Sequence, residues 1–107
     1  MPKFTERAAL KEIVKFAKRE YKQKRPRDVK VLRVRDEKVF SMGGPIPAIT
    51  VRATHVPYYI VVLDYGDMYR IYNYTKDATL ILGENVEKDS DKMKGIEKST
   101  KLEYRIQ

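Results

Sequence analysis

Hydrophobic residues near the start of the chain recur at steps of three and four, which is the spacing of an amphipathic α-helix. Thr5 is a suitable N-cap, and Pro26 disfavours the helical conformation in the residue before it. The pattern therefore predicts a helix over about residues 5–23. Its apolar face consists of Ala9, Leu10, Ile13, Phe16, Ala17 and Tyr21, and its polar face of Arg7, Lys11, Lys15, Lys18, Arg19 and Lys22.

From Val29 onward the period changes to two, which predicts β-strands. The first strand extends to Arg35, and a change in the phase of its alternation suggests a β-bulge near Val31. Two short strands follow at about residues 38–42 and 48–54. The loop between them contains two glycines and two prolines, and proline cannot donate to a central β-ladder.

The clearest element is a hairpin formed by residues 58–65 and 68–74. Gly66-Asp67 lies between its strands, and this dipeptide suits the tight primed turns that match strand twist. A further strand is predicted at residues 79–82. Residues 83–100 are polar and lysine-rich without a clear period, and the expectation for residues 83–107 is a polar, flexible C-terminal segment. An edge strand remains open within it, because three hydrophobic residues alternate there: Leu102, Tyr104 and Ile106.

These elements predict one α+β domain over residues 1–107, with the N-terminal helix packed on a curved, mainly antiparallel sheet of four to six strands at about residues 29–82. The order of elements resembles the cystatin-like architecture, in which a curved sheet wraps one helix. Residues 58–80 also resemble the closing strands of PepSY domains, although the turn glycine common in that family is Ala78 here. The resemblance covers residues 8–82 in element order, and it implies the fold without any functional residue.

A two-residue hairpin turn divides the hairpin residues between two sheet faces. One face presents Tyr59, Val61, Leu63, Tyr65, Met68, Arg70, Tyr72 and Tyr74, and the other presents Tyr58, Ile60, Val62, Asp64, Tyr69, Ile71 and Asn73. Both faces are too apolar to be left in water, and one helix covers only one of them. Nucleic-acid bases stacked on the aromatics, a second copy of the chain, or a core capped by the tyrosines would each satisfy this requirement.

The 107-residue chain has a net charge of +8, and this charge is concentrated in its first third. Residues 1–35 contain 13 Lys and Arg against 4 Asp and Glu, a net of +9, whereas residues 36–85 have a net of −2 and residues 86–107 a net of +1. This asymmetry indicates a surface that faces a polyanion. Heavy use of Lys, Glu and Arg is also typical of proteins from thermophiles.

The strongest basic cluster lies between residues 18 and 30, and it contains seven cations but only two acidic residues, Glu20 and Asp28. Its members are Lys18, Arg19, Lys22, Lys24, Arg25, Arg27 and Lys30. Contacts from such a cluster to phosphates release counterions, so binding would weaken steeply with salt. The alternative is a solvated helix face that keeps the domain soluble. The candidate nucleic-acid site adds five residues of the predicted sheet: Arg52, Arg70, Tyr59, Tyr72 and Tyr74.

The residue types present argue against catalysis and against a bound cofactor or metal. The chain has no cysteine, and its only histidine, His55, has no partner serine in a Gly-x-Ser-x-Gly motif. Neither metal-ligand spacing nor a phosphate-binding glycine motif is present. Asp64 and Asp67 flank the hairpin turn, where aspartates are favoured for turn chemistry alone.

The sequence therefore predicts a non-catalytic binding module for nucleic acid or another polyanion. The alternative is a protein-interaction or homo-oligomeric subunit, such as a dimer, that uses the tyrosine-rich sheet face. An enzyme with a cavity around His55 or Asp64 is the third hypothesis. The charged start of the chain and the short apolar run at residues 58–63 predict a cytoplasmic protein that does not enter membranes.

Overall fold

The structure of the protein is a computed structural model, and it describes residues 6–35, 57–75 and 80–106. The elements in chain order are α1 (Glu6–Lys24), β1 (Asp28–Val34), β2 (Pro57–Asp64), β3 (Met68–Thr75), β4 (Leu80–Glu87), α2 (Asp91–Ser99) and β5 (Thr100–Ile106). All paired strands are antiparallel, and the sheet order is β4-β3-β2-β1-β5. The predicted α+β class, with an N-terminal helix on an antiparallel sheet, is confirmed.

Some predicted features lie outside the described residues. They are the N-cap Thr5, the strands at residues 38–42 and 48–54, the loop between them, and the candidate residues Arg52 and His55.

The apolar face of α1 packs on what we call the first sheet face. Ala9, Ile13 and Ala17 are buried there. They contact side chains that alternate along β1, β2 and β3, as the period of two requires. The buried strand residues are Val29, Val31, Tyr59, Val61, Leu63, Tyr72 and Tyr74. This packing corresponds to the predicted division of the hairpin, and it shows which of its two faces α1 covers.

The β2–β3 hairpin has the predicted two-residue turn. The backbone N–H of Tyr65 donates to the carbonyl of Met68 over 3.0 Å, and Gly66 adopts a φ of +94° that favours glycine. The register pairs Leu63 with Arg70. The hairpin prediction, including its register, is therefore confirmed.

The register between β1 and β5 shifts between Val31 and Leu32, where the phase change suggested a bulge. The extra residue belongs to β5, because Val31 pairs with Tyr104 and Leu32 pairs with Leu102, which leaves Glu103 unpaired. Strand β1 keeps a continuous register with β2. The phase of its hydrophobic residues changes because both of its faces are buried: Val31 packs under α1, whereas Leu32 packs on the opposite side.

The second sheet face is covered by α2, an element that the sequence pattern did not predict. Met93 and Ile96 of α2 are buried against strand residues of this face: Leu32, Val34, Ile60, Val62, Ile71 and Val86. Ser90 caps the helix by accepting a hydrogen bond from the backbone N–H of Met93 over 3.3 Å. Residues 83–106 form the end of β4, α2 and the edge strand β5, so the edge strand that the alternation of Leu102, Tyr104 and Ile106 left open is present.

Candidate nucleic-acid interface

Five cations form a continuous stripe on the outer surface of α1. They are separated by four, four, three and four residues, so they fall within roughly an 80° sector of the helix and extend over roughly 22 Å. All five are exposed. We call them the α1 stripe: Arg7, Lys11, Lys15, Lys18 and Lys22.

No member of the α1 stripe forms an ion pair within the described part of the chain. The three acidic residues of α1 lie outside the stripe, and two of them are already paired. Glu20 lies 3.5 Å from the ammonium of Lys24, and Glu6 pairs with Arg33 of β1. The stripe is therefore a row of uncompensated positive charge, which is the arrangement that a phosphate backbone neutralises.

A groove with a volume of about 440 Å³ runs beside the stripe, between α1 and the edge strand β5. Its apolar surface comes from Leu10, Val14 and Tyr104. Tyr104 keeps 36% of its surface exposed, and the ammonium of Lys18 lies 5.8 Å from the centroid of its ring. The cationic border of this α1–β5 groove consists of stripe residues: Arg7, Lys11, Lys15 and Lys18.

Two candidate cations make structural contacts instead: Lys24 at the end of α1 and Arg70 of β3. Lys24 and Arg70 both donate to the hydroxyl oxygen of Tyr72, at 2.8 and 2.9 Å. The bond to Tyr72 raises the pKa of Lys24, with a smaller contribution from Glu20 and opposition from burial. Arg70 also donates to the side-chain oxygen of Asn85 over 2.9 Å. These cations connect α1, β3 and β4, which leaves them less available to a ligand.

The remaining members of the basic segment are dispersed. Arg19 lies beside the ring of Phe16, and Arg25 follows α1 with a left-handed φ of 49°. The guanidinium of Arg27 packs over Gly66 at the hairpin turn. Lys30 points away from α1, because it lines a cavity of about 240 Å³ on the second sheet face together with Glu97 and other residues. The structure thus brings only Lys18 and Lys22 of the segment into the α1 stripe.

The three candidate tyrosines lie in the core beneath α1. The exposed fractions of Tyr59, Tyr72 and Tyr74 are 0%, 5% and 7%. Burial raises the pKa of Tyr59 to about 12, and burial also raises the pKa of Tyr74. Phe16 of α1 packs edge-on against Tyr72, with ring centroids 5.0 Å apart. This burial conflicts with stacking of bases on these rings and with their use as a dimer interface.

Sequence reasoning did not include Arg7, Lys11, Lys15 and Tyr104 among the site residues. The helical period could have identified the three cations, because it places them on the same polar face as Lys18 and Lys22. No local sequence pattern indicates that Tyr104 belongs to the same site. Its position beside α1 depends on the pairing of β5 with β1, which joins residues more than 60 positions apart in the chain.

Comparison with known proteins yields no relative for this chain. No protein-family model, no curated protein and no solved structure matches it significantly. Neither helix of the described residues is long and apolar enough to cross a membrane. Within the same residues, no three His, Asp or Glu side chains are grouped as metal ligands would be. The geometry of the α1 stripe and its groove is therefore the basis for a functional interpretation.

Proposed function

We propose that the protein is a non-catalytic binding module for nucleic acid or a similar polyanion, and that the α1 stripe is its contact surface. The single observation that carries this proposal is the row of five exposed cations without an acidic partner in the described residues. Soluble proteins commonly intersperse both signs of charge on a helix surface. A row of one sign concentrates the positive potential on one side of the molecule and attracts polyanions.

The charge distribution along the chain supports the same proposal. The first third contributes a net charge of +9, and six of the seven Lys and Arg residues of α1 have no ion pair or side-chain hydrogen bond within the described residues. By contrast, Lys88, Lys92 and Arg105 each pair with a carboxylate, on Asp64, Glu84 and Asp28. Among the described residues beyond α1, five of the twelve Lys and Arg side chains pair with a carboxylate, whereas none of the five stripe residues does.

Fluorescence anisotropy of labelled single- and double-stranded DNA and RNA tests the proposal, with monovalent salt varied from about 50 to 400 mM. We expect binding that weakens steeply as salt increases. The Lys11→Gln/Lys15→Gln double variant removes two stripe charges and should bind several-fold more weakly. Its matched control is Lys94→Gln/Lys98→Gln, which removes two exposed lysines from α2 on the other side of the sheet. Binding that is weaker than micromolar and independent of salt would contradict the proposal.

A homo-oligomer joined through β5 is the second candidate function. Strand β5 is an edge of the described sheet, and Leu102 on it is 54% exposed. An edge strand offers unpaired backbone groups to a second copy of the chain. Light scattering should then report a dimer, and Leu102→Glu should dissociate it. A monomer at millimolar concentration would exclude this candidate.

A further inference from the structure

The α1–β5 groove combines a row of exposed cations with an accessible aromatic ring. Leu10 and Val14 are half-buried and form an apolar floor, and Tyr104 presents its ring beside them. The bordering cations are exposed. A ligand that fits this groove must carry several negative charges in a row and, next to them, a flat apolar group.

Among polyanions, single-stranded nucleic acid meets both requirements. A duplex keeps its bases stacked inside, so it would neutralise the stripe but leave the apolar floor in contact with water. Polyphosphate and heparin-like chains lack flat apolar groups. Proteins that bind single strands combine a basic groove that follows the backbone with aromatic side chains on which bases stack. The α1–β5 groove has both features, because its cations come from α1 and its aromatic ring comes from Tyr104 of β5.

We propose that the α1–β5 groove binds single-stranded nucleic acid, with a base stacked on the ring of Tyr104 and backbone phosphates on Lys11, Lys15 and Lys18. This inference rests on the proposed function and specifies its ligand. Lys18 lies over the Tyr104 ring at 5.8 Å and has no carboxylate partner in the described chain. A base can therefore take its place on the ring while its ammonium moves to a phosphate, without breaking an ion pair.

Because the protein has no tryptophan, a single introduced tryptophan reports on its own position. Tyr104→Trp places this fluorophore in the groove. Tyr65→Trp is the matched control, since Tyr65 is 37% exposed, nearly the same as Tyr104, but lies at the β2–β3 turn. Both variants are titrated with oligothymidylate and oligouridylate of roughly 12 nucleotides, with a DNA duplex of the same length, and with inorganic polyphosphate.

We expect both single strands to quench the emission of Tyr104→Trp in a saturable manner, whereas the duplex and polyphosphate bind without comparable quenching. The emission of Tyr65→Trp should stay unchanged with all four ligands. A difference between oligothymidylate and oligouridylate would then show whether DNA or RNA is the better ligand.

Affinity measurements on aromatic and aliphatic variants complete the test. Tyr104→Leu keeps apolar contact but removes the π-face, and it should weaken binding of oligothymidylate about 5- to 150-fold. Tyr104→Phe should bind within about threefold of the wild type, because the stacking surface is retained. Polyphosphate binding should change less than twofold in both variants.

The outcomes separate this inference from the proposed function. If neither the oligonucleotides nor polyphosphate bind, the proposed function fails and the inference fails with it. If all polyanions bind with a salt dependence but Tyr104→Leu has the affinity of the wild type for single strands, the proposed function stands and the inference is overturned. Equal quenching of Tyr104→Trp by duplex and single strands would also overturn it.

Discussion

The ammonium of Lys24 donates a 2.8 Å hydrogen bond to the hydroxyl of Tyr72, which joins the last turn of α1 to the middle of β3. Arg70 donates to the same oxygen over 2.9 Å. All three residues belong to the nucleic-acid site that the sequence predicts, yet the Lys24–Tyr72 bond holds α1 on the sheet and Arg70 links β3 to β4 through Asn85. The basic segment therefore has two parts: cations that stabilise the fold and cations that remain free on the surface.

Two buried tyrosines of the first sheet face, Tyr72 and Tyr59, should differ in how removal of the hydroxyl changes the free energy of unfolding. Tyr72→Phe leaves Lys24 and Arg70 without their shared acceptor, so we expect the free energy of unfolding to fall by about 1 to 2 kcal/mol. The hydroxyl of Tyr59 is buried and has no hydrogen-bond partner among the described residues, so Tyr59→Phe should leave stability unchanged or raise it by up to about 1 kcal/mol. Urea denaturation of both variants measures this. Equal destabilisation by both would contradict the assigned role of the Tyr72 hydroxyl.

Because α2 packs on the second sheet face, truncation of one of its buried side chains should lower the free energy of unfolding strongly, although the helix is short. Ile96 is fully buried among strand residues, so Ile96→Ala should lower the free energy of unfolding by about 2 to 5 kcal/mol. Leu102→Ala removes a mostly exposed leucine and should cost less than about 1 kcal/mol. Thermal or urea unfolding distinguishes them. A stable, cooperative Ile96→Ala protein would show that α2 does not cover this face.

Gly83 of β4 should resist substitution although it lies inside a strand. A Cβ atom at this position would lie 2.7 Å from Cε1 of Tyr72 and 2.8 Å from Nε of Arg70. Since the Tyr72 ring is buried, it has little room to move, and we expect Gly83→Ala to destabilise the protein by about 1 to 3 kcal/mol. In the Tyr72→Leu background the same substitution should cost clearly less. An equal cost in both backgrounds would exclude the proposed clash with the ring.

Asp64 should make the folded protein lose stability as the pH becomes acidic. Burial by itself would raise the pKa of Asp64, but the N–H of Gly66, at 2.7 Å, and the ammonium of Lys88, at 3.2 Å, stabilise the carboxylate, so its pKa is lowered below 3.8. The folded protein thus holds this proton less tightly than the unfolded chain does. The resulting stabilisation is complete above the unfolded pKa and is lost as pH falls through the folded pKa.

Asp64→Asn removes this titrating group. Between about pH 5.5 and 2.5 the variant should lose less stability than the wild type, as measured by urea midpoints at each pH. Asp67→Asn is the control, because Asp67 is exposed and forms no ion pair among the described residues. If both variants follow the wild-type profile, Asp64 does not contribute to the acid response.

Local patterns predicted the elements whose contacts are close in the chain. The hairpin register follows from Gly66-Asp67, and α1 ends at Lys24, within one residue of its predicted end, because Pro26 limits it. Helix α2 was missed because its nine residues contain only Met93 and Ile96 as buried hydrophobics and include Gly95. So short a helix forms through packing on the sheet rather than through propensity.

The part of the candidate site that depends on local sequence was predictable, and the part that depends on long-range pairing was not. The α1 stripe follows from the helical period, so the sequence alone places its cations on one face. Tyr104 depends on long-range pairing, and the bulge at Glu103 turns Tyr104 toward α1 while Leu102 faces the second sheet face. The burial of Tyr59 and Tyr72 depends on which face α1 covers. Composition and alternation leave that choice open, because both faces of the hairpin are apolar.

The salt dependence of binding to a single-stranded oligonucleotide tests the central claim most directly. Each phosphate contact on a single strand contributes about 0.7 to the slope of log K against log salt concentration, so contacts from three to five stripe cations predict a slope of about −2 to −3.5. Lys11→Gln/Lys15→Gln should reduce its magnitude by about 1.4, whereas Lys94→Gln/Lys98→Gln should leave it unchanged. Equal slopes for the two double variants would contradict the assignment of the α1 stripe as the binding surface.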